Sequence, residues 1–564
     1  MTTTFSHSLG AGFWVVVLSF TAVLAGISLY LARRVQSSDD FFRASGKASW
    51  WINGLSFIMS AFSASVFVAN ASLAYNRGSL NALLILAQLP VFVAGYMFFA
   101  RLWHRSGVHT AVEFIDRRFG QRPAKFFLFS GIPIRILDNA NRLYVTGVLI
   151  ENLLGIPLWQ AAAFAGIVAV LFTIGGGFLA VIVTDAIQAL ILAAISIVVA
   201  VAALIRVGGL SAWMAKVPGD YWSLRLEGSD IGLPLIIAWV FVGLFAWNGN
   251  WALVQRYVSV PTERDATKVT LVAGISYYII FPLLAIPPMA AVVLLPQLQG
   301  TIGGERSYIM LAEMLLPASL LGLLSFAMLG TTVTAVASEL NVLSQVIVEN
   351  SLLRVLPRLS ERSKLIIGRC LIVLIMLMCL AIALEIRKFG GAFKYLITIL
   401  GMTSLPVYMP MLLGLLERRS PGWGAVGSCC AGIAVSLVMK FGFGSPLASI
   451  IFTNGLVTLA FYFIAAWMSP RQATAVPPAK AGHAKPLSPE ALRKAAEQQN
   501  KSFSRPIALS LVIMACVLLA TSLFSRLNAP DLALSLSSVA LVLLFALIIS
   551  RLPRWLSKPP TTHE

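Results

Sequence analysis

Thr173 to Ser196 reads TIGGGFLAVIVTDAIQALILAAIS. Three consecutive glycines, Gly175 to Gly177, predict a break between two apolar helices, and the helix after them is long enough to cross a bilayer. That second helix nevertheless carries Asp185 and Gln188. A charged carboxylate at membrane depth costs on the order of 3 kcal/mol or more unless a cation or a polar cavity receives it. Two readings of Asp185 follow. It is a cation ligand, with Thr184 and Gln188 adding oxygens around it, or it is the partner of a buried arginine.

The rest of the chain has the same character. Hydrophobic residues make up 58% of the 564 positions and charged residues 12%, with a mean hydropathy of +0.85. Apolar runs of ~20 residues recur along almost the whole length, which predicts an all-α integral membrane protein of about fifteen spans. The stretch 308–350 reads as one long span with flanking helices. The formal charge of +19 is a topology signal. Basic residues cluster after alternate spans, for example Arg33 and Arg34 after the first, Arg117 and Arg118 after the third, and Arg256, Arg264 and Lys268 after the seventh. The positive-inside rule then puts the N-terminus outside and the C-terminus in the cytoplasm, as expected of a plasma membrane protein such as one of the bacterial inner membrane. Because the basic residues sit in short loops, a nucleic-acid partner is not expected. The expected partners are the bilayer, a small-molecule solute and a coupling cation.

Enzyme chemistry has no support in the sequence. Cys370, Cys379, Cys429, Cys430 and Cys516 all fall within or at the edge of spans and read as packing residues. The five histidines make no ligand spacing, and there is no phosphate-cradling loop, so no cofactor is expected.

Two spans are interrupted in a matching way. The second, LSFIMSAFSASVFVANASLAY (55–75), carries Ser60, Ser63, Ser65, Asn70 and Ser72. The seventh, FVGLFAWNGNWALVQRY (241–257), carries Gly243, Asn248, Gly249, Asn250 and Gln255. They lie five spans apart, an odd number, and so cross in opposite directions. An inverted five-plus-five repeat around two unwound helices is a secondary-transporter architecture with its ligand sites near the midplane. The chain divides as 1–49, an extra N-terminal span and loop; 50–206, the first repeat; 207–230, an external loop; 231–415, the second repeat; 416–470, additional spans; 471–505, a cytoplasmic linker; and 506–564, two C-terminal spans. Within the linker, Ser488-Pro489-Glu490 predicts the start of a short helix.

The chain resembles the sodium:solute symporter family, relatives of the bacterial sodium–galactose and sodium–proline carriers, from about Asp40 to Arg419. The segments that carry the resemblance are DDFFRASGKASWWINGLSFIMSAFSAS, TAVEFIDRRFG, LYVTGVLIENLLGIPLW, IGGGFLAVIVTDAIQALIL, NWALVQRYVSV and ASELNVLSQVIVEN, in that order. The resemblance implies a leucine-transporter-like fold with one extra helix before the repeat. It implies a sodium site formed by the carbonyls of Met59, Phe62 and Thr331 and the hydroxyl of Thr334, with Asp185 close by. The family's second hydroxyl falls on Ala335, which has none; Thr332 or Ser338 is on an adjacent turn to compensate. Glu339, unusual at such depth, offers proton coupling as the alternative.

The positions that line the cavity in the family's sugar carriers read Val66, Asp138, Gly243, Ala246, Tyr277 and Ile397 here, with Trp247 matching an aromatic. Most hydrogen-bonding partners for a sugar are gone. What replaces them is charge. In FFLFSGIPIRILDNANRLYVTGVL (126–149), Arg135, Asp138 and Arg142 share roughly one helical face and leave one positive charge over. Arginine's planar fork suits a carboxylate, whereas the bland reading is a buried Arg–Asp pair that holds the helix in place. The candidate solute site is Ser65, Val66, Arg135, Asp138, Trp247, Asn248, Tyr277 and Ile397. The candidate cation site is Met59, Phe62, Asp185, Thr331, Thr334 and Ser338. The expected function is cation-coupled symport, with Na+ favoured, of a small organic solute such as a carboxylate. The alternatives are a proton-coupled carrier and a transporter-like membrane sensor; the sensor reading expects a cytoplasmic signalling domain, and only a dozen residues follow the last span.

Overall fold

A computed structural model describes residues 10–33, 48–62, 66–224, 232–298, 300–353, 359–389, 392–469, 489–524 and 527–556. The described residues are almost entirely helical. In chain order the main helices are α1 (Ala11–Ala32), α2 (Trp50–Ala61), α3 (Ala71–Asn76), α4 (Gly78–Arg105), α5 (Ala111–Phe119), α6 (Gln121–Leu154) and α7 (Leu158–Val207). Then follow α8 (Leu233–Gly249), α9 (Trp251–Val258), α10 (Glu263–Leu294), α11 (Gly300–Leu315), α12 (Ala318–Ile347) and α13 (Glu361–Glu385). The last five are α14 (Ala392–Leu416), α15 (Gly422–Gly442), α16 (Leu447–Met468), α17 (Pro489–Phe524) and α18 (Ala529–Leu556).

Both expected helix breaks are present. α2 stops at Ala61, and Phe62 is extended, with φ −76° and ψ 147°. The chain resumes as a wide helical turn over Val66–Asn70 and then α3. α8 and α9 meet at Asn250 with their axes bent by 49°. Asn250 caps the second half: its Oδ1 accepts from the backbone N–H of Ala252 at 2.8 Å and of Leu253 at 3.3 Å. Those are orphan donors that lipid cannot satisfy. Replacing Asn250 with alanine should therefore lower stability by about 1 kcal/mol, and by no more than about 2, whereas aspartate should retain most of it. Thermal unfolding of the detergent-solubilised protein checks this; equal losses for alanine and aspartate would place the effect elsewhere than in the cap.

Two features differ from the reading of the sequence. Gly175 to Gly177 do not end a helix, because hydrogen-bonded turns run through them from Leu158 to Val207. Fifty residues at 1.5 Å each amount to about 75 Å, more than twice the ~30 Å hydrocarbon thickness, so this one run holds the apolar length of two crossings. Among the described residues, eleven helices are long and apolar enough to cross a membrane, or twelve if the bent α8–α9 pair is one span. α6 falls short of that test because it carries Arg135, Asp138 and Arg142, and α2 and α3 because they are separate pieces. Finally, the second half of the expected 471–505 linker is the start of α17. Ala, Gln, Lys and Glu, all good helix formers, fill Glu490 to Lys501 and let the helix run on into the membrane-length segment. Ser488 and the rest of the linker lie outside the described residues.

α12 is the axis of the bundle, buried along nearly its whole length. Small residues make that burial feasible, because they let neighbouring backbones approach. At Gly322 a Cβ would sit 2.8 Å from the Phe13 carbonyl oxygen, a backbone atom of α1, so glycine is needed for α1 to approach here. α14 is interrupted by Pro406, which leaves the Met402 carbonyl without its helical donor. Ser436 Oγ donates to that oxygen at 3.0 Å, and Asn454 Nδ2 donates to the neighbouring Gly401 carbonyl at 3.0 Å. The helix carries Ile397 and Tyr408 to the solute cavity.

Candidate cation and solute sites

Asp185 is fully buried on α7. Its Oδ2 accepts from the Ser56 hydroxyl at 2.5 Å and lies 3.6 Å from Nη2 of Arg256. Among the described residues its Oδ1 accepts no close hydrogen bond, and the Thr334 hydroxyl lies near the carboxylate. Arg256, on α9, is itself fully buried and donates to Ser56 Oγ at 3.0 Å, to the Ala252 carbonyl at 2.6 Å and to Ser338 Oγ at 2.7 Å. Ser60 Oγ reaches the same Ser338 hydroxyl at 3.4 Å. One turn earlier on α12, the Thr334 hydroxyl donates to Gln188 Oε1 at 3.0 Å, with the Thr331 carbonyl oxygen 3.4 Å away. The broken end of α2 closes the group. Met59 and Phe62 are fully buried there, and the Phe62 N–H returns to the carbonyls of Ile58 and Met59, both at 3.1 Å.

The structure thus brings Asp185 of α7 and Thr334 and Ser338 of α12 into one polar cluster, with Met59 and Phe62 flanking Ser60 at its edge. The Thr331 carbonyl lies beside the Thr334 hydroxyl within it. Ala335 is buried and supplies no oxygen. The arginine paired with Asp185 is Arg256, not Arg135 or Arg142. Sequence position alone placed Arg256 with the loop basics after the seventh span. The signal that marks it as internal is its setting, Val254-Gln255-Arg256-Tyr257-Val258, with every one of these residues buried.

The solute cavity has a volume of about 290 Å³ and opens between the two broken helices. Val66, Arg135, Asp138, Trp247, Tyr277 and Ile397 line it. Its aromatic wall is edge-on: Trp247 and Tyr277 are 5.8 Å apart at 84°, and Phe92 stands 5.3 Å from Trp247. Phe281 stacks 3.9 Å from Tyr277 and 4.7 Å from Phe62, which ties this wall to the end of α2. Asn248 lies away from the cavity. Its amide donates to the carbonyls of Val91 and Leu244, and its own carbonyl receives the Trp103 indole N–H at 2.8 Å. Ser65 lies outside the described residues.

The charges on α6 pair differently from the expectation of one left over. Arg142 bonds to Asp138 at 3.1 Å and donates to the Ser60 carbonyl at 2.9 Å. Arg135 is taken by Glu339 of α12 at 2.6 Å, with Tyr408 Oη at 3.3 Å and the Trp251 ring 4.3 Å below the guanidinium. Three carboxylates (Asp138, Asp185, Glu339) therefore face three guanidiniums (Arg135, Arg142, Arg256) in the interior. Spacing along α6 could not reveal this, since Glu339 is 204 residues away. Asn141 is a further residue the sequence reading passed over: it lines the cavity, and neither atom of its buried amide has a hydrogen-bond partner.

A family model described as the sodium:solute symporter family matches residues 41–432. The chain belongs to the sodium:solute symporter family. A sodium/glucose cotransporter of Vibrio parahaemolyticus is 25% identical over 79% of this chain and 87% of its own length. A sodium/sialic acid symporter, NanT, of Aliivibrio fischeri is 24% identical over 77% of this chain and 89% of its own. The human sodium/iodide cotransporter is 27% identical over 74% of this chain and 68% of its own. Among solved structures, a substrate-bound, outward-open Na+-coupled sialic acid symporter aligns with a TM-score of 0.72 at 19% identity, covering 82% of this chain and 99% of that one. The fold is therefore the all-α inverted-repeat arrangement of this family, with α2–α3 and α8–α9 as its two broken helices. The family's members are membrane transporters that couple to sodium.

Proposed function

We propose that this chain is a Na+-coupled symporter that moves a small organic solute bearing a carboxylate by alternating access. The observation that carries the cation part is Asp185 Oδ1, a buried carboxylate oxygen with no close hydrogen-bond donor among the described residues. An acceptor left so costs about 1–3 kcal/mol, which a cation in the Asp185–Thr334–Ser338 cluster would recover. The solute part rests on the cavity between the broken helices, where Arg135 and Arg142 meet aromatic walls. At about 290 Å³ the space suits a metabolite of modest size. The membrane orientation read from the basic loops belongs to the same proposal. A second reading, proton coupling through Glu339, is favoured by one observation: Ala335 leaves the cation cluster one oxygen short.

The test is uptake into proteoliposomes of labelled pyruvate, L-proline and glucose, with and without a sodium gradient. Pyruvate or proline should enter faster with the gradient, and glucose should not. Asp185→Asn and Thr334→Ala should each weaken the Na+ affinity about ten- to a hundredfold, more than they lower protein abundance. Ala335→Ser should strengthen it by restoring an oxygen. Unchanged Na+ dependence in all three variants would place the cation site elsewhere or make the coupling ion a proton.

A further inference from the structure

Buried charges of alternating sign connect the solute cavity to the cation cluster. Arg135 lines the cavity and bonds to Glu339, with 4% and 2% of the two side chains exposed. Glu339 does not line the cavity; it follows Ser338 directly, and Ser338 accepts from Arg256 at 2.7 Å. Glu339 is thus the partner of Arg135 and the chain neighbour of the serine that Arg256 touches. Arg256 in turn lies 3.6 Å from Asp185, a loose pair that leaves Asp185 Oδ1 without a close hydrogen-bond donor among the described residues. Glu339 thus stands between Arg135, which it holds, and Arg256, which holds Asp185 loosely beside Ser338.

We propose that Glu339 is a positioning residue that couples the solute site to the cation site by competing for Arg256. With the cavity empty, Arg135 holds Glu339, and Arg256 stays on Asp185. A solute carboxylate on Arg135 releases Glu339. The freed carboxylate draws Arg256 away, and Asp185 is left open to Na+. Solute and cation then raise each other's affinity, as reciprocal linkage requires. This rests on the reading of Asp185 and its neighbours as the cation cluster.

The relay makes opposite predictions for its two ends, and Na+ alone reads them. The measurement is equilibrium binding of radiolabelled Na+ to the purified full-length protein. Arg135→Gln imitates the release of Glu339 and should tighten Na+ binding about tenfold. Glu339→Gln leaves Arg256 no carboxylate but Asp185 and should weaken Na+ binding about tenfold. The double variant should follow Glu339→Gln, because releasing a carboxylate that is no longer there changes nothing. Glu339→Asp should keep near-native binding, which separates the loss of charge from a loss of packing. Opposite shifts, with the double variant following Glu339→Gln, support the relay. Shifts in the same direction, no shifts, or additive shifts in the double variant overturn it. If Asp185→Asn binds Na+ like the unaltered protein, the cation cluster itself is refuted and the relay with it.

Discussion

Arg256→Gln should destabilise the protein by about 3–5 kcal/mol in the absence of Na+ and make the remaining fold strongly Na+-dependent. Arg256 and Asp185 are both fully buried, and Ser56 and Ser338 are oriented onto the guanidinium. Removing one member of a buried pair leaves the other charge uncompensated, and that cost exceeds what the intact pair contributes. Glutamine is neutral and cannot take over. A cation can, because the vacated volume borders Asp185, Ser56 and Ser338. Thermal unfolding in detergent, with Na+ or with choline, gives the comparison: the Na+ increment in melting temperature should be larger for the variant than for the unaltered protein. The double variant Asp185→Asn, Arg256→Gln removes both charges. It should recover most of the stability and lose the Na+ increment altogether. An equal Na+ increment in all three proteins would mean that Arg256 and the cation do not share a site.

Arg135→Lys should lower the affinity for a carboxylate solute about ten- to a hundredfold while the protein still inserts and folds. The positive charge is kept, so Glu339 retains a partner. What is lost is the planar fork, which reaches Glu339 with one nitrogen and Tyr408 with the other while its face rests on Trp251. An ammonium is a point charge and cannot offer Tyr408 and a solute carboxylate that takes the place of Glu339 the same planar fork. Concentration dependence of pyruvate and L-proline uptake would show the change in KM. A solute carried equally well by the lysine variant and the unaltered protein would make Arg135 a structural residue. The neutrality of the six internal charges fits the same picture: one Na+ and one monocarboxylate bring in charges that cancel, whereas either alone adds an uncompensated charge to a poorly screened interior.

Much of this was already written in local sequence. Long apolar runs admit no soluble fold, because lipid and water demand different surfaces. The two helix breaks were legible because Ser60 to Ser72 and Asn248 to Asn250 place polar and small residues where hydrocarbon requires apolar ones. Asp185 was legible for the same reason. Its partner was not. The sequence showed that interior arginines must find carboxylates, but which carboxylate each one finds depends on which helices lie side by side. Arg135 and Glu339 are 204 residues apart, and Arg256 meets Asp185 only because α9 and α7 both pack around α2 and α12. The Gly175–Gly177 run shows the converse. Glycine permits a break but does not impose one, and the helical hydrogen bonds run on through the three glycines. Burial cost is a property of one residue and can be read from the chain, whereas ion pairing is a property of two residues brought together by tertiary packing.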